Sequence, residues 1–308
     1  MSASWPRLRD LGALLLRHAG FIVAISACVF VLVRVVPGDV VDFLGVQGDL
    51  DAAGQAKLRQ ELGLDRPLVL QFLDWGARAL SGDFGRSLRF REPVVAMMAR
   101  AAGATLQLAA LSLAIGLVVG VALAVAATIW PRRWLDGLVD ALNVWSIAIP
   151  TFCVGLGLIL LFSIWLRWMP VLGNLPAAAL VIGLDIAGQI VKPLREDLRE
   201  TMAASHVRAA RARGVPPARL VLRHVLPHSL SVLIALSGLI LAGLIGGAVT
   251  VEVLFGLPGI GSLALDAIRG RDYPLVQAVV VVLAASILIV NALSQALLRL
   301  IDPREAPL

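Results

Sequence analysis

Charge is scarce in this chain: Asp, Glu, Lys and Arg make up 16% of its 308 residues, against 59% hydrophobic residues and a mean hydropathy of +0.87. A chain so composed cannot fold around one aqueous core and reads as an integral membrane protein. Lysine is nearly absent. Lys57 and Lys192 are the whole supply, and neither stands in a Gly-x4-Gly-Lys phosphate loop, so no such nucleotide site is present. Intramembrane catalysis lacks its tools as well: there is no His-Glu-x-x-His, no Gly-x-Ser-Gly, and no histidine within an apolar run beyond His18 at an edge. The two cysteines, Cys28 and Cys153, lie inside apolar runs as small packing residues and do not identify a redox compartment. The net charge of +6 comes from basic residues at the ends of apolar runs, without interleaved aromatics, which argues against nucleic acid.

Six apolar stretches are long enough to cross a bilayer, which takes about 20 helical residues: roughly 11–35, 104–129, 137–166, 171–191, 229–252 and 275–300. Ala104 to Ile129 holds no charge, whereas Lys192 to Arg223 holds eight basic residues. The first stretch follows Arg7 and Arg9 and contains Arg17. Its long apolar core and missing small-residue cleavage site predict a retained helix rather than a signal peptide. Arg132, Arg133, the 192–223 loop and the tail with Arg299 and Arg304 share one face with the amino terminus, and their charge predicts that face to be cytoplasmic. Arg167, Arg269, Arg271 and the long 37–102 segment then fall outside.

That long segment carries turn signals at Pro37-Gly38-Asp39, Gly63, Pro67, Gly82-Asp83 and Pro93, predicting a small extracytoplasmic cap with helices near Ala52–Leu62 and Pro67–Leu80. The two halves show no repeat in sequence, which does not favour an inverted-repeat secondary transporter.

The cytoplasmic stretch Ser205 to Pro227 is the most informative. Thr201 to Ala212 is rich in Ala and Arg without a breaker, Gly214 suits the left-handed residue that ends a helix, and Pro216 and Pro217 suit the first turn of another. Two short helices joined by a tight turn are expected, too polar for lipid and too small for a domain. Ala209, Ala210 and Ala212 would let a partner approach, and the arginines could pair with carboxylates around its groove. A simple positive-inside loop is the competing reading.

Spacing separates the two. Ala209-Ala210, three residues, Gly214, nine residues, a variable pair, then Leu226 and Pro227 resembles the EAA loop of permease subunits of ATP-binding-cassette importers. Arg208 and His224 stand where the general pattern has Glu and Ile. Both departures resemble the dipeptide/oligopeptide/nickel class, in which Arg-x-Ala-Arg-Ala-x-Gly precedes Leu-Arg-His. Arg34 to Asp39, Leu62 to Pro67, Gly82-Asp-Phe-Gly-Arg-Ser87, Glu252 to Gly261, Arg271-Asp-Tyr-Pro274 and Ile301 to Arg304 resemble that class in order. The connection from Arg167 to Pro176 is shorter than usual for it.

The resemblance implies an all-α integral membrane protein. It would have six transmembrane helices, an extracytoplasmic domain between the first and second, and a cytoplasmic EAA helix pair between the fourth and fifth. The expected division is 1–36, with the first span; 37–103, the cap; and 104–308, the core permease with its EAA loop at about 198–227. Implied partners are a second related permease, one or two ATPase subunits and an extracytoplasmic substrate-binding protein. ATP and Mg would sit on the ATPase, leaving no cofactor and no catalytic step on this chain. Arg208, Ala209, Ala210, Gly214, Leu226 and Pro227 would couple to the ATPase. The solute would be a small peptide, with a nickel or metal chelate as the alternative.

Polar residues at bilayer depth are costly and tend to face a pathway or a partner helix. Asp185 and Gln189, one turn apart, together with Glu252 and Asn143, are the candidates for lining a pathway, with Asn291 and Gln295 behind them. Interhelical hydrogen bonding is the competing account of each. His224 and His228 have a helical metal-ligand spacing, but Pro227 lies between them and no third ligand completes a site.

Overall fold

The computed structural model describes residues 8–35, 41, 51–61, 63 and 65–301. Pro37-Gly38-Asp39, Leu62, Leu64, and the tail from Asp302 with Arg304 lie outside the described residues, as do Arg7 and the side chains of Arg9 and His18. The described chain is helical apart from one antiparallel bridge between Arg86 and Pro93. Four helices are long and apolar enough to cross a membrane, five if one bent pair counts as a single span, and Ala19–Val35 is a shorter apolar stretch. The described residues are those of an all-helical membrane protein and contain four to five candidate spans.

Two compact units are formed: Met1–Ala104 with Pro258–Leu288, and Thr105–Leu257 with Ile289–Leu308. The first contains α1 (Leu8–Val35), α2 (Ala52–Glu61) and α3 (Leu68–Leu80), followed by the start of the long α4 (Val94–Ile129). Both helices expected between residues 52 and 80 are present. The unit's core joins Val94, Met97, Met98 and Ala101 of α4 to later residues, among them Leu275, Val276 and Val279. Because α4 begins at Val94, the second apolar helix starts about ten residues earlier than the uncharged run at 104. Met97, Met98 and Ala101 are buried, so the apolar face continues through a stretch whose Arg100 is exposed and pairs with Glu92.

The second unit holds the rest of α4, then α5 (Arg133–Ala148), α6 (Thr151–Leu158, continued by a π-helical turn to Trp165) and α7 (Leu175–Met202). The stretch 137–166, expected to be one span, is broken. Pro150 restricts the residue before it to extended backbone, and Ile149 accordingly has φ −112° and ψ 117°. The two helices meet there at 101°.

α7 is the axis of this unit and runs past the expected end at residue 191 to Met202. In lipid no hydrophobic force drives helices together, so close association needs small residues that let backbones touch. α7 has Ala179, Gly183 and Ala187 at four-residue spacing, and α4 has Ser112, Gly116 and Gly120. A Cβ on Gly116 would lie 3.1 Å from the Gly183 carbonyl oxygen, and one on Gly183 would lie 2.6 Å from Ile115 Cγ2 and 3.1 Å from the Ser112 carbonyl.

On its other side α7 meets α5 through polar rungs. Arg195 pairs with Asp136, Lys192 Nζ lies 3.5 Å from Asp140, and Asn143 Nδ2 donates to the Gly188 carbonyl at 3.0 Å. Arg195 is buried, so losing Asp136 would leave a buried guanidinium unpaired and cost more than losing the half-buried Lys192 pair, which falls in the range of about 0–1 kcal/mol.

After α7 come α8 (Ser205–Ala212) and α9 (Pro217–Leu220). A π-helical turn Val221–Val225 and a 3-10 turn Leu226–Ser229 then lead into α10 (Leu230–Gly247) and α11 (Val249–Leu254). The fifth apolar helix thus begins at Pro217 rather than near 229, and at its far end the chain turns at Ala248 into α11. Pro227 explains the loosened turns: it has no amide to give, and its ring clashes with the carbonyl four residues earlier. α12 (Ile260–Arg269) belongs to the first unit, and α13 (Tyr273–Ile301) begins there and ends in the second.

Replacing Gly183 by valine should force α4 and α7 apart and lower stability by about 1–3 kcal/mol. Thermal unfolding of the purified protein in detergent measures this, and an unchanged transition would show that the backbones need not touch.

Candidate functional site

The Ala- and Arg-rich run expected to be helical from Thr201 to Ala212 is split: Thr201 and Met202 end α7, the chain turns at Ala203 and Ala204, and α8 takes Ser205–Ala212 and ends on Gly214, whose φ of +81° is a conformation that side-chain-bearing residues resist. The Gly214 amide donates to the Arg211 carbonyl at 2.9 Å, and the Val215 amide to the Ala210 carbonyl at 3.4 Å. Pro216 is extended, and Pro217 opens α9. The second expected short helix is not separate: it is the leading turn of the continuous path into α10.

The loop has two faces. Val207, Ala210, Leu220, Val221 and Val225 are buried in the second unit's core. Arg208, Ala209, Arg211, Ala212, Arg213 and Gly214 are exposed, as is Pro227, while Leu226 is half-buried. Arg208, Arg211 and Arg213 form no ion pair among the described residues. The exposed alanines and unpaired guanidiniums therefore share one surface. Ala210, expected beside them, points inward and anchors the loop.

His206 and His228 stack with ring centroids 4.9 Å apart. His224 sits in the π turn, half-buried. No group of three His, Cys, Asp or Glu that could hold a metal occurs among the described residues.

The intramembrane candidates divide. Asp185 of α7 accepts from Thr151 Oγ1 at 3.2 Å and from Gln189 Nε2 at 3.1 Å. Thr151 is the first residue of α6, so the break at Pro150 delivers a hydroxyl to the one acid in the middle of α7. Asp185 is half-buried and Gln189 exposed, leaving this pair an open side. Asn143 is spent on the Gly188 carbonyl. Glu252, in α11, is 1% exposed and accepts from Thr105 Oγ1 at 2.6 Å, so it faces protein rather than open space. Thr105 and Thr151 escaped the sequence reading because threonine at bilayer depth draws no notice unless its acidic partner is known.

A third polar centre lies in the first unit. Asp272 is fully buried; it accepts from the Ser87 hydroxyl and from the amides of Leu88 at 3.2 Å and Arg89 at 3.4 Å. Ser87 Oγ in turn accepts from the Phe90 amide at 2.9 Å. Two motifs far apart in sequence, Gly82 to Ser87 and Arg271 to Pro274, are thus one structure. Arg271 holds a φ of +52° to place that aspartate.

Comparison with known proteins bears on the whole chain. Residues 95–306 match the family described as "Binding-protein-dependent transport system inner membrane component". The chain belongs to this family. The permease is 34% identical over 307 residues to a provisionally named peptide permease protein of Brucella suis biovar 1, covering 94% of this chain and 96% of that one. It is 33% identical over 284 residues to the glutathione transport system permease protein GsiC of Salmonella typhimurium, covering 91% and 92%. Among solved structures, the inward-facing MetNI methionine ABC transporter aligns with a TM-score of 0.57 at 20% identity. That alignment covers 68% of this chain and 97% of the other, a likeness of fold.

The protein is therefore the multi-pass inner-membrane component of an ABC importer. It binds no cofactor, and its catalytic ATPase is a separate subunit. Such a system also has a binding protein that delivers the solute.

Asp272→Ala should cost the first unit about 1–3 kcal/mol, chiefly by stranding the buried Ser87 hydroxyl, with the part-buried amides of Leu88 and Arg89 losing their acceptor as well. Ser87→Ala in the same background should add little, because both substitutions remove one shared interaction. Denaturant unfolding of the single and double variants tests this; fully additive losses would separate the two residues.

Proposed function

We propose that the permease forms one half of a translocation pathway for small peptides, paired with a second, related permease subunit. In this reading six helices cross the membrane, both termini are cytoplasmic, and 37–103 is an extracytoplasmic cap between the first span, in 1–36, and the core, 104–308. The EAA loop at about 198–227 then lies between the fourth and fifth spans and docks into a cleft of the ATPase. ATP-driven closure of the ATPase dimer moves the loop, and the loop moves α7 and α10, which flank it in the chain.

The observation that carries this reading is the two-faced loop. Val207 and Ala210 key it into the permease core, while Arg208, Ala209 and Gly214, with Leu226 and Pro227 behind, present a surface of small residues and unpaired cations. Small residues let a partner's walls close in, and arginines suit acidic groups around a groove. Ala210 serves from inside, by holding the loop to its own subunit.

Peptide is the solute class supported by the two relatives' names, because glutathione is itself a tripeptide derivative. Asp185 with Gln189 is the strongest pathway candidate, since the pair keeps an open side. Asn143 and Glu252 would border the pathway only if its walls rearranged to expose them.

Two experiments on the transporter reconstituted with its ATPase test these assignments. Ala209→Trp leaves the buried face untouched and should lower ATP-driven uptake roughly tenfold, about 1.4 kcal/mol of lost coupling, with the subunit still inserted. Uptake at the wild-type rate would remove the docking role. Asp185→Asn keeps an acceptor for Thr151 but removes the charge, and should shift the concentration dependence of uptake with assembly unchanged. Identical kinetics would make Asp185 a helix-pairing residue.

A further inference from the structure

The first unit contains a cavity of about 720 Å³, within the range of roughly 300–1,000 Å³ typical of small-ligand sites. Four arginines line it: Arg34, Arg66, Arg78 and Arg86. The described lining residues include two acids, Asp74 and Asp83. Asp74 pairs with Arg66 at 3.2 Å, and Asp83 accepts from the Gly85 amide at 2.9 Å. Arg34, Arg78 and Arg86 have no carboxylate partner among the described residues.

Two residues of the wall carry buried donors without acceptors among the described residues. Trp75 Nε1, on a side chain 9% exposed, and Gln277 Nε2, on one 4% exposed, are buried and make no hydrogen bond. An indole nitrogen can only donate. Buried polar groups in folded proteins are nearly always satisfied, so an orphan beside a cavity marks a place where something with an acceptor binds.

Arg34 is held for the same purpose. Its guanidinium lies 3.5 Å from the centroid of the Phe30 ring, Nε donates to Gln71 Oε1 at 3.1 Å, and Nη1 donates to the Phe30 carbonyl at 3.4 Å. Nη2 is left unspent. A guanidinium fixed in this way has lost most of its freedom before any anion arrives, which suits two-oxygen acceptors. The remaining wall includes Phe84 and Tyr273, faces that an apolar side chain could cover.

We propose that this cavity is a binding site for the carboxylate of a small solute, with Arg34, Trp75 and Gln277 as the recognising donors. Among the described lining residues, four arginines against Asp74 and Asp83, together with the two orphan donors, leave the cavity complementary to an oxyanion and unfavourable to a cation. The carboxylate rests on the cavity alone; its belonging to a peptide rests on the permease reading above.

The test is saturation-transfer NMR and calorimetry on the full chain in nanodiscs, with alanyl-alanine, its C-terminal amide, inorganic phosphate and glycerol phosphate as probes. The free acid should bind at least tenfold more tightly than the amide. Trp75→Phe and Gln277→Leu, which keep the bulk of each side chain, should each weaken the acid severalfold and leave the amide unaffected. Equal binding of acid and amide, binding of the acid unaltered in both variants, or no binding of the acid overturns the proposal. Phosphate or glycerol phosphate binding in place of the acid also overturns it, by assigning the cavity to a phosphate-bearing group such as a lipid headgroup. Uptake separates the two readings: peptide transport that persists when acid binding is lost in Trp75→Phe removes the site's role but keeps the peptide permease. Acid binding without any peptide transport keeps the site and removes the peptide.

Discussion

The second unit depends on a contact between two backbones. Where Gly116 and Gly183 cross, a single added methyl group on either would collide with an isoleucine side chain of the other helix and crowd one of its carbonyls, so the spacing of α4 and α7 is set by bare glycine backbone. Lipid offers no hydrophobic reward for bringing helices together, and dispersion and weak polar contacts at short range must do it. Once α4 and α7 touch, the polar rungs to α5 fall into register along the opposite side of α7. Arg195, Lys192 and Gly188 then meet Asp136, Asp140 and Asn143 in antiparallel order.

That helix also connects depth to surface. Its middle carries Asp185 against the break at Pro150, and its end passes into the loop whose inner face is keyed by Val207 and Ala210. The same element therefore borders both the polar pair proposed for the solute and the surface proposed for the ATPase. α7 joins the two along one helix from Leu175 to Met202, with Pro193, which has no amide to give, between them.

Much of this was legible in the residues. Uncharged runs identify the apolar helices, and the alanine–arginine run with Gly214 predicts α8 and its stop, because helix formation and termination are local. Three things were not. The break at Pro150 hides inside a continuous apolar run, since hydropathy is blind to the backbone restriction a proline places on its neighbour. The inward turn of Ala210 depends on what packs beneath the loop, which spacing alone does not contain. The Ser87 and Asp272 pairing joins residues 185 positions apart; both motifs could be quoted, but only folding brings them together. Glu252 is the converse case: the acid at depth is visible in the sequence, but its hydrogen bond from Thr105, 147 positions away, is not.

The π-helical turn at Val221–Val225, followed by the tighter 3-10 turn at Leu226–Ser229, has a mechanical meaning. A wide turn followed by a narrow turn changes the spacing of the backbone without breaking the helical path, much as a pleat does in cloth. The buried residues Val221, Val225 and Ser229 pin one side of this pleat, while Leu222, Arg223 and Pro227 leave the other uncovered. If the loop at Gly214 docks as proposed, any movement of it reaches α10 along the chain only through these two irregular turns, which lie between them.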